Sequence, residues 1–243
     1  MSKAFCWTAA KLTICFFLIV SYTIWVYHDS INNELVWDSY HYLVKNVFYI
    51  SRLNADNIIW MLLAKDPYWH PFTWLSWAID YQIYGGLVSW GYHLSNNILH
   101  AINSGIVFIL MLAVFGLNNT ESKLYSWRVD NLALIAAFIA ALLFAVHPQH
   151  VESVVWVAER KDLLCQLFLL LSMLTYLKYV TCEVATKGYW FYITLGLFLL
   201  ALMSKPMAVT FPVLLLLMDV YPIRRTIFIQ PFVGSIKTEP LNR

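Results

Sequence analysis

Apolar residues fall in long, nearly unbroken runs along this chain, and polar residues collect in a few short clusters between them. A helix of about 17–25 apolar residues is long enough to cross the hydrocarbon core of a bilayer. Six such runs are read, at about 12–28, 92–116, 131–147, 163–180, 188–204 and 206–222. The first follows Lys3 and Lys11 and has no small-x-small cleavage site after it, so it reads as an uncleaved anchor. Pro206 and Pro212 make the last run the least regular. The expected fold is therefore all-α and integral to a membrane.

Between the first two runs lies a polar and aromatic stretch, residues 29–91. Within it, 56–64 (DNIIWMLLA) and 73–83 (TWLSWAIDYQI) carry apolar residues at helical spacing. Short Trp-rich amphipathic helices of this kind lie in the membrane interface. Six of the eleven Trp are here: Trp37, Trp60, Trp69, Trp74, Trp77 and Trp90. An interfacial aromatic belt accounts for about half of them; a sugar-stacking role for one or two stays open. The expected organisation is an anchor at 1–28, an outer loop at 29–91, a five-span core at 92–222 and a cytoplasmic tail at 223–243.

Composition supports the membrane reading. The chain is 60% hydrophobic and 12% charged, with a mean hydropathy of +0.63; soluble domains run near 45–50% apolar and about 25% charged. A net charge of +2 gives no footprint for nucleic acid. The four Cys form no CxxC pair and read as free thiols. Lys and Arg favour an inside N-terminus: ten of sixteen then lie on inner segments. That orientation brings 29–91, 147–162 and 204–206 to the outer face. It places the Asn118-Asn119-Thr120 sequon inside, where it would not be used.

Chemistry is expected where charge meets the membrane edge, because charge there is costly. Asp38 can act as a general base on a hydroxyl if desolvation raises its pKa; the plainer alternative is a helix N-cap ahead of Ser39-Tyr40-His41. In HPQHVESVVWVAERKD, 147–162, Pro148 opens a helix. Glu152, Trp156 and Glu159 or Arg160 then share one of its faces. The segment is either a cationic pocket for a phosphate or a self-satisfied ion-pair cluster. His147 and His150 have helical spacing, but no third metal ligand fits, so no metal site is expected. Lys205, in Ser204-Lys205-Pro206, is either a snorkelling anchor or a second phosphate cation. His70 and His93 complete the polar inventory together with His100, which is expected to make a packed or hydrogen-bonded helix–helix contact.

Four segments together resemble a known family: VWDSYHYLVKN (36–46), WHPFTWLSWAIDYQIYG (69–85) with GYHLSNNILHAINS (91–104), HPQHVESVVWVAERKDLL (147–164) and LMSKPMAVTFPVLLLLMDVYP (202–222). They resemble the N-terminal membrane half of the tetratricopeptide-repeat O-mannosyltransferase-like proteins. These are related to protein O-mannosyltransferases within the GT-C class of multi-span glycosyltransferases. The resemblance implies a polyprenyl- or dolichyl-phosphate sugar donor, a protein hydroxyl acceptor, and reaction on the outer or lumenal face. The membrane would be a bacterial inner membrane or the endoplasmic reticulum. It implies Asp38 as base, Arg160, Lys161 and Lys205 at the donor phosphate, and His70, His147, His150, Glu152 and Glu159 in the pocket wall. It implies no cofactor, and leaves a divalent metal open. The expected partners are membrane lipid, the lipid-linked sugar, and a protein acceptor or partner subunits.

The chain departs from the family's pattern in two places. Relatives carry two acids in tandem where this chain has Asp38-Ser39. They also continue into further spans and repeats, so the chain reads as truncated relative to them. Two expectations follow: a glycosyltransferase, or a non-catalytic remnant of that fold serving as an assembly subunit.

Overall fold

The computed structural model describes residues 3–63, 69–117 and 130–223. The sequon at 118–120 and the tail from 224 onward lie outside the described residues, as do Lys65, Lys123 and Arg128. All regular structure among the described residues is helical. Helix α1 (Lys3–Tyr27) runs into a 3-10 turn, His28–Asn32, and a π-helical turn follows at Tyr40–Val44. Three short helices come next: α2 (Val47–Ile50), α3 (Ala55–Leu63) and α4 (Pro71–Tyr84). The remainder comprises α5 (Ser89–Leu117), α6 (Asn131–Ala145), α7 (His150–Val155), α8 (Arg160–Thr181), α9 (Val184–Ser204) and α10 (Phe211–Val220). A 3-10 turn at Val157–Glu159 precedes α8, and another at Pro206–Thr210 precedes α10.

Four stretches are long and apolar enough to cross a membrane: Ala9–Asn32, Ser89–Gly116, Val157–Thr181 and Val184–Ser204. The other two runs read as spans form shorter apolar helices, Asn131–Ala145 and Pro206–Val220. Fifteen residues rise only about 22 Å at ~1.5 Å each, against a hydrocarbon core of about 30 Å. Proline is the local cause in the last run. Pro206 opens a 3-10 turn and Pro212 sits in the first turn of α10, where a missing N–H is tolerated but the preceding helix cannot continue.

Helix α5 is the hub of the fold, and α1, α6 and α8 pack around it. It presents His93, Asn96, Asn97, His100 and Asn103 inward, all buried. Three of these, Asn96, Asn97 and His100, satisfy carbonyls at neighbouring helix ends, which have no intrahelical donor. Asn97 Nδ2 donates to Tyr27 O, the last residue of α1, at 2.9 Å. His100 Nε2 donates to Ala145 O, the last residue of α6, at 2.9 Å, the helix–helix contact expected of it. Asn96 Nδ2 donates to Val154 O near the end of α7, at 3.1 Å. Gly105 lets α1 approach closely: a Cβ there would lie 2.5 Å from the Phe16 ring.

The 29–91 stretch packs as a small aromatic core. Trp74 and Trp77 are buried with Tyr42, Leu43, Met61, Tyr92, Val157 and Ala158. Trp60 stacks on Tyr49 with ring centroids 3.9 Å apart. The two expected helices are present as α3 and α4, and α4 ends at Gly85 with φ 74°, a left-handed conformation that glycine adopts without strain. Of the six Trp, Trp74 and Trp77 serve this core. Trp37, Trp69 and Trp90 remain exposed.

Candidate functional site

The HPQHVESVVWVAERKD segment does not form one helix. Helix α7 starts after Pro148, at His150, and ends at Val155. Trp156 is extended (φ −88°, ψ 110°), and a 3-10 turn leads into α8 at Arg160. The shared face expected for Glu152, Trp156 and Glu159 or Arg160 is therefore broken at Trp156. Glu152 is left exposed, lining a cavity of about 390 Å³ with Asn33, Glu34, Trp37, His93 and Trp156. That volume lies in the range of small-ligand sites. The lining residues include two carboxylates and no Lys or Arg.

The turn bearing Asp38 is docked on this break. The Trp37 ring meets Trp156 edge-to-face at 5.7 Å. Ala158 N donates to Ser39 Oγ at 3.2 Å. Trp37 holds φ 51°, an unusual conformation for a residue with a Cβ. Asp38 itself is exposed.

Consecutive residues at the start of α8 point in different directions, so that of the three expected phosphate cations Arg160 is separated from Lys161 and Lys205. Arg160 is 1% exposed. Its guanidinium pairs with the Asp80 carboxylate. It also donates through Nε to Asn96 Oδ1 and through Nη2 to Tyr92 O, each at 2.7 Å. Asp80 accepts a further bond from Ser95 Oγ at 2.8 Å. Lys161 turns the other way. It donates to Glu159 at 2.7 Å and lies 5.9 Å over the Tyr42 ring. Lys205, from the turn after α9, pairs with Asp162 and lies 3.6 Å from Glu159. Ser153 Oγ donates to the same Asp162 at 3.2 Å.

Glu159, Lys161, Asp162 and Lys205 thus form one partly buried cluster of balanced charge, with His70 close by. Burial pushes the His70 imidazole down to about 4, and the Lys161 and Lys205 charges add to the effect. For Lys205, burial opposes the charged form, but the bond to Asp162 and the charges of Asp162 and Glu159 outweigh it and raise the pKa. His147 and His150 stand apart from this cluster in their ring contacts. Their centroids are 6.0 Å apart, and His150 packs on Phe144 at 4.5 Å. Burial, with His147 beside it, lowers the His150 pKa. Among the described residues no group of three or more His, Cys, Asp or Glu could hold a metal ion.

Sequence reasoning missed Asp80 and Asn96 as partners of Arg160, and His93 and Trp37 as cavity walls. One signal was available. His93, Asn96, Asn97, His100 and Asn103 recur every three or four residues in an otherwise apolar run, which marks a polar stripe turned inward.

No family model and no solved structure matches the chain. Among curated proteins, it is 39% identical over 131 residues to protein O-mannosyl-transferase TMTC4 of Homo sapiens, covering 54% of the chain and 16% of that protein. It is 40% identical over 152 residues to TMTC4 of Mus musculus, covering 58% and 19%. It is 33% identical over 156 residues to Tmtc2 of Drosophila melanogaster, covering 63% and 15%. The chain thus spans under a fifth of the length of these relatives. Over about half of its length, at 32–40% identity, it is homologous to the TMTC family of protein O-mannosyl-transferases.

Proposed function

We propose that this chain forms the catalytic face of a membrane O-mannosyltransferase. The sugar would pass from a polyprenyl- or dolichyl-phosphate donor to a Ser or Thr hydroxyl of a protein. The observation that carries the reading is the exposed Asp38, held on a turn against the same segment that supplies Lys161. Asp38 takes the proton of the acceptor hydroxyl. The hydroxyl oxygen attacks the anomeric carbon, the carbon–oxygen bond to phosphate breaks, and configuration inverts. Lys161 and Lys205 receive the leaving phosphate, exchanging part of their pairing with Glu159 and Asp162 for it. Glu152 in the cavity, with His70, His147 and His150 around the segment, would bound the site. Arg160 is assigned to holding the segment, because its donors are engaged by Asp80, Asn96 and Tyr92.

In this reading the shorter apolar helices Asn131–Ala145 and Pro206–Val220 cross a locally thinned bilayer and complete a six-span GT-C-type domain with its N-terminus cytoplasmic. The TMTC relatives are animal proteins, which favours the endoplasmic reticulum over a bacterial inner membrane. Transfer from radiolabelled polyprenyl-phosphate mannose to membrane protein, in vesicles with and without the chain, tests the activity. Equal transfer in both contradicts it.

A second reading is a non-catalytic assembly subunit. One observation favours it: Arg160, Lys161 and Lys205 each face a carboxylate, so the cluster offers no net positive charge to a phosphate. Purification as a stable complex without transfer activity would support this alternative.

A further inference from the structure

A helix continuous through 154–158 would join the Val154 carbonyl to the Ala158 N–H, four residues on. Here both groups are buried and bonded elsewhere. Val154 O accepts from Asn96 Nδ2 at 3.1 Å. Ala158 N donates to Ser39 Oγ at 3.2 Å. One helical hydrogen bond is replaced by two side-chain bonds from remote elements, so neither backbone group is orphaned. Asn96 is also tied to Arg160, and Ser39 is 1% exposed.

The consequence falls on the turn that carries Asp38. On one side of Asp38, Trp37 rests against Trp156. On the other, Ser39 is bonded to Ala158, and Tyr42 and Leu43 enter the aromatic core. Asp38 faces outward between these anchors. Of the two anchors adjacent to Asp38, Trp37 and Ser39, the Ser39 bond is the directional one.

We propose that Ser39 is a positioning residue: by accepting the Ala158 N–H it fixes where the Asp38 carboxylate stands. This rests on the reading of Asp38 as base. Ser39 also lines the cavity beside Glu152, but its γ-oxygen is engaged by the Ala158 N–H, so the role assigned to it is to hold the turn. A displacement of about 1 Å at a reacting group costs roughly 10²-fold in rate. Removing one such bond is therefore felt far more in turnover than in donor binding.

The test uses the full chain in vesicles with polyprenyl-phosphate mannose and three variants: Ser39→Ala, Ser39→Thr and Asp38→Asn. Ser39→Ala is expected to lower kcat by about 10- to 100-fold with the donor KM held within about twofold. Ser39→Thr, which keeps the γ-oxygen, restores most of the rate. Hydrogen exchange at the Ala158 amide should quicken in Ser39→Ala and not in Ser39→Thr. Should the alanine variant fail to accumulate, Ser39→Cys gives the same comparison, since sulfur is a weak acceptor of similar size. Full activity in Ser39→Ala beside an inactive Asp38→Asn overturns the positioning role and leaves the base intact. Unchanged Ala158 exchange in Ser39→Ala also overturns it. Full activity in Asp38→Asn, or none in the unmodified chain, overturns the reading of Asp38 and this inference with it.

Discussion

Arg160 and Lys161 are adjacent in sequence, yet they do different work. Successive residues on a helix are about 100° apart, so at the start of α8 one enters the core and the other reaches the charged cluster. Both side chains are cations and the residue string carries no direction, which is why the pattern alone groups them at one phosphate site. The Arg160–Asp80 pair is buried, and a buried pair is most damaging when only one partner is removed. Asp80→Ala should cost about 3–5 kcal/mol, read as lower thermal stability in detergent. Asp80→Ala with Arg160→Met should cost clearly less than the two single changes summed. Additive losses would deny the coupling. His70 makes a pH-dependent case. Its folded pKa, about 4, lies below the ordinary 6.5, so the unfolded chain binds the extra proton first. Stability should be full above about 6.5 and fall as pH drops toward 4. His70→Gln should flatten that fall; an unchanged pH profile would contradict it.

At the scale of elements, the long apolar helices were legible because length and composition define them. The four long stretches coincide with four of the six runs read as spans, at 12–28, 92–116, 163–180 and 188–204, with ends moved by up to six residues, while the runs at 131–147 and 206–222 form shorter helices. The break at Trp156 was not legible. Val151, Val154, Val155 and Val157 weaken a helix only slightly and do not mark where it breaks; the interruption is held by Ser39 and Asn96, both distant in sequence. The fold of 29–91 was half legible: helical spacing located α3 and α4, but Trp residues suit a core as well as an interface, and only tertiary contacts decide. The α1–α5 contact offers a direct test of packing. Gly105→Val places atoms where the Phe16 ring lies. It should destabilise by about 1–3 kcal/mol, and pairing it with Phe16→Ala should recover part of that in thermal unfolding. No effect of Gly105→Val would mean that the two helices do not meet there.

The whole molecule is organised around α5, whose polar stripe caps the ends of its neighbours and whose apolar faces meet α1, α6 and α8. The outward surfaces of α1 and α9 stay apolar, with Trp25, Phe17, Tyr192 and Leu199 exposed, as expected of helices that face lipid. On this scaffold the first loop folds back and seats Asp38 at the edge of the 147–162 segment. Homology to the TMTC proteins and this seat together motivate the transferase reading. It is tested most directly by mannose transfer from polyprenyl-phosphate mannose in vesicles carrying the chain or its Asp38→Asn variant, with donor binding measured on both. The expected result is a loss of about 10²–10⁴-fold in transfer, the usual contribution of a general base, with donor binding retained. Transfer by Asp38→Asn at the unmodified rate would contradict it.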